Sequence, residues 1–148
     1  MEKMQNNIMI QVGVIVRDIE KSAHNYAEVF GIEVPSVSIT DIVDKAETEY
    51  RGESTPARAK LAFMQMGGMQ LELIEPDEHP STWREFLDAH GEGIHHIAFG
   101  VKGMKETIAF LDNNGMPMVQ KGEYTGGRYT YIDSSDKLGL IMELLEND

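Results

Sequence analysis

Two stretches of this chain match each other in pattern, and this internal repeat limits the fold more than any other feature of the sequence. Residues 11–21 and 96–106 are both short apolar runs followed by a basic residue and a stretch with helical periodicity. Residues 71–75 and 142–146 form a second matching pair in the same order. Because two matched pairs in one order indicate a tandem duplication, we predict two copies of about 65 to 75 residues each. The first copy has more residues between its two matched segments than the second copy has.

The same order of secondary-structure signals follows in each copy. In the first copy, the patterns predict a strand over 8–16, a helix over 19–30 between Asp18 and Gly31, an extended segment over 32–42, a loop over 44–56, and strands over 59–66 and 70–75. In the second copy, they predict strands over 95–101, 116–120, 128–133 and 138–145, with a helix over 104–114 that Gly115 ends. Each copy is therefore a β-α-β-β-β module.

These modules define the predicted architecture. Four strands with one helix on one face leave the other sheet face open, so two such sheets must cover each other or a partner. We predict an α+β fold in which two tandem β-α-β-β-β modules, at about 8–76 and 94–146, form an open curved mixed sheet of eight strands around a cleft. A helix over about 82–90, capped by Ser81 or Thr82, links them within a single domain. The open sheet face also predicts a homodimer.

Composition excludes several classes of function. The 148 residues fit one domain, and no apolar run approaches the roughly 18 residues of a membrane span. The chain has no cysteine and no secretory signal, so it suits a reducing cytoplasm and lacks thiolate nucleophiles and cysteine zinc sites. Lysine and arginine number 13 against 25 acidic residues, and the net charge of −12 argues against binding to nucleic acid.

Two acidic residues lie within apolar strands of the repeat. Glu72 and Glu143 occupy the same position in the two copies, each flanked by apolar residues. A buried carboxylate costs several kcal/mol unless it is paired or binds a metal, and the repeat groups these two with Gln11 and His96. Because consecutive strand residues face opposite sides, only one of His95 and His96 can reach a shared site, and the register selects His96. These four residues are candidates for binding a metal or a polar ligand.

The paired modules and two segments, 71–76 (LELIEP) and 91–99 (GEGIHHIAF), resemble the vicinal oxygen chelate superfamily. This superfamily includes glyoxalase I, extradiol dioxygenases, bleomycin-resistance proteins and methylmalonyl-CoA epimerase, and the second segment is most similar to the epimerase. The resemblance implies that one divalent metal is held by Gln11, Glu72, His96 and Glu143. Ring-cleaving dioxygenases need two histidines and a carboxylate, so that class fits less well.

The chain departs from the epimerase pattern at two positions. Gln11 stands where these enzymes normally have histidine, and its amide oxygen is a harder ligand than an imidazole nitrogen. The resulting set of one nitrogen and three oxygens favours Co, Mn, Ni or Mg over Zn. Pro56 lies about where the epimerases have a further carboxylate. The candidates for the catalytic base are therefore Glu143, which would also be a ligand, and Glu53, if its loop reaches the site.

The activity implied by the resemblance is metal-assisted enolisation by an isomerase, epimerase or lyase. Its substrate would be a small acyl thioester, such as a coenzyme A ester, or a 2-oxo compound. Two alternatives remain open. A binding protein like those of bleomycin resistance would sequester a cationic ligand without chemistry, which the net charge of −12 suits. A degenerate member would no longer bind metal, and Gln11 is the reason to consider it.

Overall fold

The computed structural model describes residues 1–148, which form ten strands and five helices. The first half contains β1 (Met9–Ile15), α1 (Ile19–Phe30), β2 (Ser38–Ile39), α2 (Val43–Ala46), β3 (Glu49–Tyr50), β4 (Glu53–Ser54), β5 (Ala59–Met66) and β6 (Met69–Pro76). The remainder contains α3 (Thr82–His90), β7 (Gly93–Gly100), α4 (Met104–Asn113), β8 (Met118–Tyr124), β9 (Gly127–Asp133), α5 (Ser135–Leu138) and β10 (Ile141–Asn147). No helix has the length and apolar character needed to span a membrane.

All ten strands belong to one mixed sheet, in the order β2-β5-β6-β1-β7-β10-β9-β8-β3-β4. β1 is parallel to β6 and β7 is parallel to β10, while β1 and β7 join the two halves in antiparallel orientation. The sheet is strongly curled, because residues from β5 near one edge and β9 near the other line the same cavity. The predicted fold class, two β-α-β-β-β modules around a cleft, is confirmed.

Helix α1 has the predicted bounds. The Asp18 side chain accepts a hydrogen bond from the backbone N–H of Lys21, and Gly31 ends the helix with φ of 66°. Ile19 and Ala23 are buried on the face that packs toward the sheet. Phe30, the last residue of the helix, is 55% exposed. It lies in the last turn and stacks on Tyr26, with ring centroids 6.0 Å apart.

The prediction of eight strands is wrong, because the polar loop over 44–56 contributes two more. Residues Arg51 and Gly52 both have positive φ, at 53° and 81°, and close a tight hairpin between β3 and β4. β3 then pairs with β8, so a segment of the first module extends the sheet of the second. The extra residues of the first copy therefore run from β2 at one edge of the curled sheet to β4 at the other edge.

Three strand boundaries also differ from the predictions. The extended segment over 32–42 pairs with β5 only at Ser38–Ile39, and the strand predicted over 116–120 instead runs from Met118 to Tyr124. The strand predicted over 138–145 begins only at Ile141, because a short helix precedes it. Asp133, at the end of β9, accepts hydrogen bonds from the backbone N–H and the hydroxyl of Ser135, the first residue of that helix. Short polar segments are governed by such local hydrogen bonds more than by hydrophobic periodicity.

Helix α3 lies between the two modules and packs against the sheet. Ser81 caps it by accepting a hydrogen bond from the backbone N–H of Arg84. Trp83 and Leu87 are buried in a core cluster with Ile15 and Ile74, so the helix covers strands of the first module. The backbone N–H of Thr82 donates to the side-chain oxygen of Gln120 in β8 at 2.8 Å, which ties the start of the helix to the second module.

Candidate metal-binding site

Four neighbouring strands bring the four predicted residues together at the centre of the sheet. Gln11, Glu72, His96 and Glu143 lie on β1, β6, β7 and β10, which are consecutive in the order β6-β1-β7-β10. Gly13 in β1 is the backbone partner of both Glu72 and His96. All four side chains are buried, with relative exposures between 0% for His96 and 7% for Glu72.

The Nε2 atom of His96 is surrounded by three oxygen atoms. It lies 3.2 Å from Oε1 of Gln11, 3.4 Å from Oε1 of Glu72 and 3.3 Å from Oε1 of Glu143. The potential ligand atoms of the two glutamates and His96 all lie within 4.8 Å of one another. One nitrogen and three oxygens therefore converge on a small volume, with two formal negative charges.

The two carboxylate oxygens in this group lack hydrogen-bond partners. Oε1 of Glu72 and Oε1 of Glu143 are buried and accept no hydrogen bond. A single ring N–H on His96 can point well at only one of three oxygens, so at least two acceptors must remain unsatisfied. Burying carboxylates in this way is costly unless they are paired or coordinate a metal. The donor set fits a divalent cation, which would be held by Gln11, Glu72, His96 and Glu143.

Burial and mutual charge shift the pKa values of this group. Burial raises the pKa of Glu72, the nearby ring of His96 partly offsets this, and repulsion from Glu143 adds to the increase. Burial alone would lower the pKa of His96, but the nearby carboxylates of Glu143 and Glu72 outweigh it and raise the pKa to about 10. The site therefore favours a positive charge at His96 Nε2. A metal would replace that proton.

Gly13 makes room for the imidazole ring of His96. A Cβ atom at position 13 would lie 2.0 Å from Cε1 of His96 and 2.5 Å from both ring nitrogens. No side chain fits there, so this strand position requires glycine for packing and not for a positive φ. Glycine in a strand interior often marks such a close approach, and this was the signal in the sequence that could have identified Gly13.

Gln11 and His96 are each held by a neighbouring polar residue. Nε2 of Gln11 donates to Oε1 of Gln70 at 2.7 Å, which leaves the carbonyl oxygen of Gln11 facing His96. Nδ1 of His96 lies 2.9 Å from Nδ1 of His95, and Nε2 of His95 lies 3.1 Å from Oγ1 of Thr82. His95 is thus buried behind the site and is not a fifth ligand, and burial lowers its pKa well below the ordinary value.

A cavity of about 450 Å³ opens beside the carboxylates of Glu72 and Glu143. Five aromatic side chains line its wall, and the sequence patterns predicted none of them at the site. They are Phe63, Trp83, Tyr124, Tyr129 and Tyr131. Asp41 and Glu123 add two more acidic groups, and no lysine or arginine lines the cavity. The cavity can therefore hold a small, largely apolar molecule with polar atoms directed at the carboxylates.

The two tyrosines on β9 supply hydroxyl groups to this wall. Tyr131 is the backbone partner of Glu143, and its hydroxyl oxygen accepts a hydrogen bond from Nε1 of Trp83 at 3.0 Å. Burial, with repulsion from Glu143 and Glu72, raises the pKa of Tyr131 well above its ordinary value. Burial likewise raises the pKa of Tyr129. Both hydroxyls therefore stay protonated and able to donate hydrogen bonds.

Glu53 does not join these residues. It lies on β4 at the far edge of the sheet, where it is exposed and pairs with Tyr50 across the hairpin. It is not among the residues that line the cavity. The hairpin formed by β3 and β4 is fixed by its pairing with β8, which keeps Glu53 from reaching the carboxylates at the sheet centre. Of the two predicted bases, the structure places only Glu143 at the site.

Comparison with known proteins assigns the family. The model of the glyoxalase/bleomycin resistance protein/dioxygenase superfamily matches residues 10–132. An uncharacterised protein of Bacillus subtilis, YqjC, is 30% identical over 92 residues, which cover 60% of this chain and 66% of YqjC, just under two thirds of its length. The chain belongs to the glyoxalase/bleomycin resistance protein/dioxygenase superfamily, which is the vicinal oxygen chelate superfamily that the repeat resembled.

Solved structures show the same fold. A hypothetical protein of Bacillus halodurans superposes with a TM-score of 0.67 at 24% identity, covering 97% of this chain and 96% of that one. The methylmalonyl-CoA epimerase of Mycobacterium tuberculosis superposes with a TM-score of 0.63 at 23% identity, covering 95% and 87%. The epimerase of Streptomyces coelicolor, bound to 2-nitronate-propionyl-CoA, gives 0.64 at 22% identity, covering 95% and 94%.

Proposed function

We propose that this protein is a divalent-metal-dependent enzyme that stabilises the enolate of a small substrate with two neighbouring oxygens. The observation that carries the proposal is the pair of buried carboxylate oxygens, on Glu72 and Glu143, that have no hydrogen-bond partner beside a cavity of about 450 Å³. The substrate would be an acyl thioester, as in methylmalonyl-CoA epimerase, or a 2-oxo compound, as in glyoxalase I. Co, Mn, Ni or Mg would suit the donor set better than Zn.

The residues around the cavity would have separate roles in this reaction. Gln11, Glu72, His96 and Glu143 would hold a divalent cation, which would supply Lewis acidity toward the substrate oxygens. Glu143 is the candidate base, because its carboxylate lines the cavity and could remove a proton next to a substrate carbonyl. Tyr131 lies beside Glu143 on the neighbouring strand and has a hydroxyl proton to donate. The aromatic side chains of the cavity wall would limit the access of water to the developing negative charge.

A binding protein without chemistry is the second candidate. The cavity wall contains Asp41 and Glu123 in addition to the two central glutamates, and it has no lysine or arginine. Such a wall favours a cationic ligand, like those sequestered by bleomycin-resistance proteins. In this case the four carboxylates would bind the ligand directly and no metal would be needed.

The sequence also predicts that the protein is a homodimer and that it is located in the cytoplasm. Both remain predictions.

One set of measurements separates these functions. The full chain, purified without chelator or affinity tag, is assayed for metal content, and exchange of the substrate's α-proton is followed by NMR in deuterated water. Methylmalonyl-CoA and the hemithioacetal of a 2-oxoaldehyde are the two probes. We expect about one divalent ion per chain and exchange with one probe. A metal-free protein that binds neither added metal nor probe would contradict the proposal, and tight binding of a cationic drug by that protein would favour the second candidate.

The two predicted bases are distinguished by matched substitutions. Glu143→Gln should lower the exchange rate about 100- to 10,000-fold, as expected for loss of a general base. The metal content of this variant must be measured beside its rate, because Glu143 is also a proposed ligand. Glu53→Gln removes a carboxylate that lies outside the cavity and should leave the rate unchanged. A fall of similar size in Glu53→Gln would show that Glu53 is the base.

A further inference from the structure

His95 and Thr82 form a buried polar chain directly behind the candidate ligand His96. Nδ1 of His96 lies 2.9 Å from Nδ1 of His95, and Nε2 of His95 lies 3.1 Å from Oγ1 of Thr82. His95 is only 3% exposed and Thr82 only 7% exposed. The chain thus runs from the centre of the sheet to the first residue of α3.

The direction of each hydrogen bond in this chain follows from the number of ring protons. Two Nδ1 atoms at 2.9 Å can form a hydrogen bond only if one carries a proton and the other does not. If Nε2 of His96 is to bind a cation, its lone pair must be free, so the proton of that ring is on Nδ1. His96 then donates to His95. His95 in turn has its proton on Nε2 and donates to the hydroxyl oxygen of Thr82.

We propose that His95 is a positioning residue, which accepts the Nδ1 proton of His96 and so fixes the tautomer and ring orientation that direct Nε2 at Gln11, Glu72 and Glu143. The inference rests on the proposed function for the ligand role of His96. The one hydrogen bond formed by Nδ1 of His96 is the one with His95. The residue opposite His96 on β10 is Ile141, whose side chain has no group that can form a hydrogen bond.

Packing holds His95 in the position that this role requires. Its ring lies edge-on against Phe86 and Tyr131, with centroids 5.4 and 5.1 Å away. Thr82 is itself fixed, because its backbone N–H donates to Oε1 of Gln120 at 2.8 Å. The start of α3 therefore supports the site through His95, although no residue of the helix forms a hydrogen bond with the candidate ligand atoms.

Substitutions at position 95 separate the acceptor from the ring. His95→Phe keeps an aromatic ring against Phe86 and Tyr131 but has no acceptor for the His96 proton. His95→Asn places a carbonyl oxygen near the position of Nδ1 and should restore the hydrogen bond. Thr82→Val removes only the outer link. His90→Phe is the matched control, because His90 also packs on Phe86, with centroids 4.9 Å apart, yet is exposed and does not contact His96.

Titration calorimetry with Ni²⁺ and Mn²⁺ gives the first readout. Loss of a residue that orients a ligand typically lowers metal affinity about 10- to 100-fold, and we expect this for His95→Phe. We expect His95→Asn and His90→Phe to stay close to wild type, and Thr82→Val to fall between them. Thermal unfolding of each metal-free variant shows whether it folds. A folded His95→Phe variant with wild-type affinity would overturn the proposal.

Nitrogen-15 NMR of the histidine rings in the metal-free wild-type protein gives a second readout that needs no metal and no variant. The proposal expects a protonated Nδ1 on His96, a bare Nδ1 on His95 and a protonated Nε2 on His95. A proton on Nδ1 of His95 would overturn the assignment. If the wild type binds no divalent metal, the proposed function fails, and the NMR pattern still decides whether His95 orients His96.

Discussion

The two modules supply equivalent halves of the site but orient them differently. Gln11 lies opposite Gln70 in the first module, and His96 lies opposite Ile141 in the second, in the same register. Gln70 holds Gln11 by a hydrogen bond across the cavity face, whereas Ile141 cannot do this for His96. His96 is held from behind by His95. The repeat thus preserves the positions of the candidate ligands, while the contacts that aim them differ between the halves.

The modules also differ in how they end at the edges of the sheet. The interval between β2 and β5 contains α2, β3 and β4, and β3 pairs with β8 of the other module. Between β8 and β9, the second module has only a tight hairpin with Gly126 at φ of 95°. A segment of the first module therefore extends the sheet of the second module, whereas the second module contributes no such segment to the first.

The largest effect is expected at the point where the two modules meet. Gly13→Ala would place a Cβ atom 2.0 Å from Cε1 of His96, in a site where the ring has no room to move. We expect metal affinity to fall by more than about 100-fold and the free energy of unfolding to fall by about 1–3 kcal/mol. Gly68→Ala is the control, since a Cβ there would meet nothing within 4 Å. Equal affinities in titration calorimetry would show that the position of His96 is not needed for binding.

Making the halves more alike should tighten metal binding. Gln11→His gives the first module the same ligand type as the second, and imidazole nitrogen binds late first-row ions better than an amide oxygen does. We expect about a 10-fold gain in affinity for Ni²⁺ and Co²⁺ and little change for Mg²⁺, which prefers oxygen ligands. Calorimetric titration with the three ions checks this order. Unchanged affinity for all of them would mean that Gln11 is not a ligand.

Removing the hydrogen bond that orients Gln11 should have the smallest effect. Gln70→Leu gives the first module an apolar residue at the position that Ile141 occupies in the second. The amide of Gln11 would then rotate freely, and we expect metal affinity to fall about fivefold, the equivalent of ~1 kcal/mol for one net hydrogen bond. Gln65→Leu is a matched change on the neighbouring strand, where Gln65 is exposed and bonds only to the backbone of Gly67. A larger loss in this control would contradict the assignment.

The sequence determined the architecture because it contains the same β-α-β-β-β module twice. Hydrophobic periodicity, Asp18 and Gly31 fix α1, and the matched segments set the same order of strands in both halves. The repeat also grouped Gln11 with His96 and Glu72 with Glu143, since each pair occupies equivalent positions in the two copies, on four strands that are consecutive in the sheet. Their roles as metal ligands and base remain proposals.

Only the tertiary structure decided what surrounds these residues. The pairing of β3 with β8, the fit of His96 over Gly13, and the hydrogen bond between Gln11 and Gln70 all join segments far apart in sequence. Local pattern gives the face on which a side chain lies, because strands alternate with a period of two. It does not give which strand lies beside it, so the aromatic wall and the position of Glu53 at a distant edge emerged only when the sheet was assembled and curled.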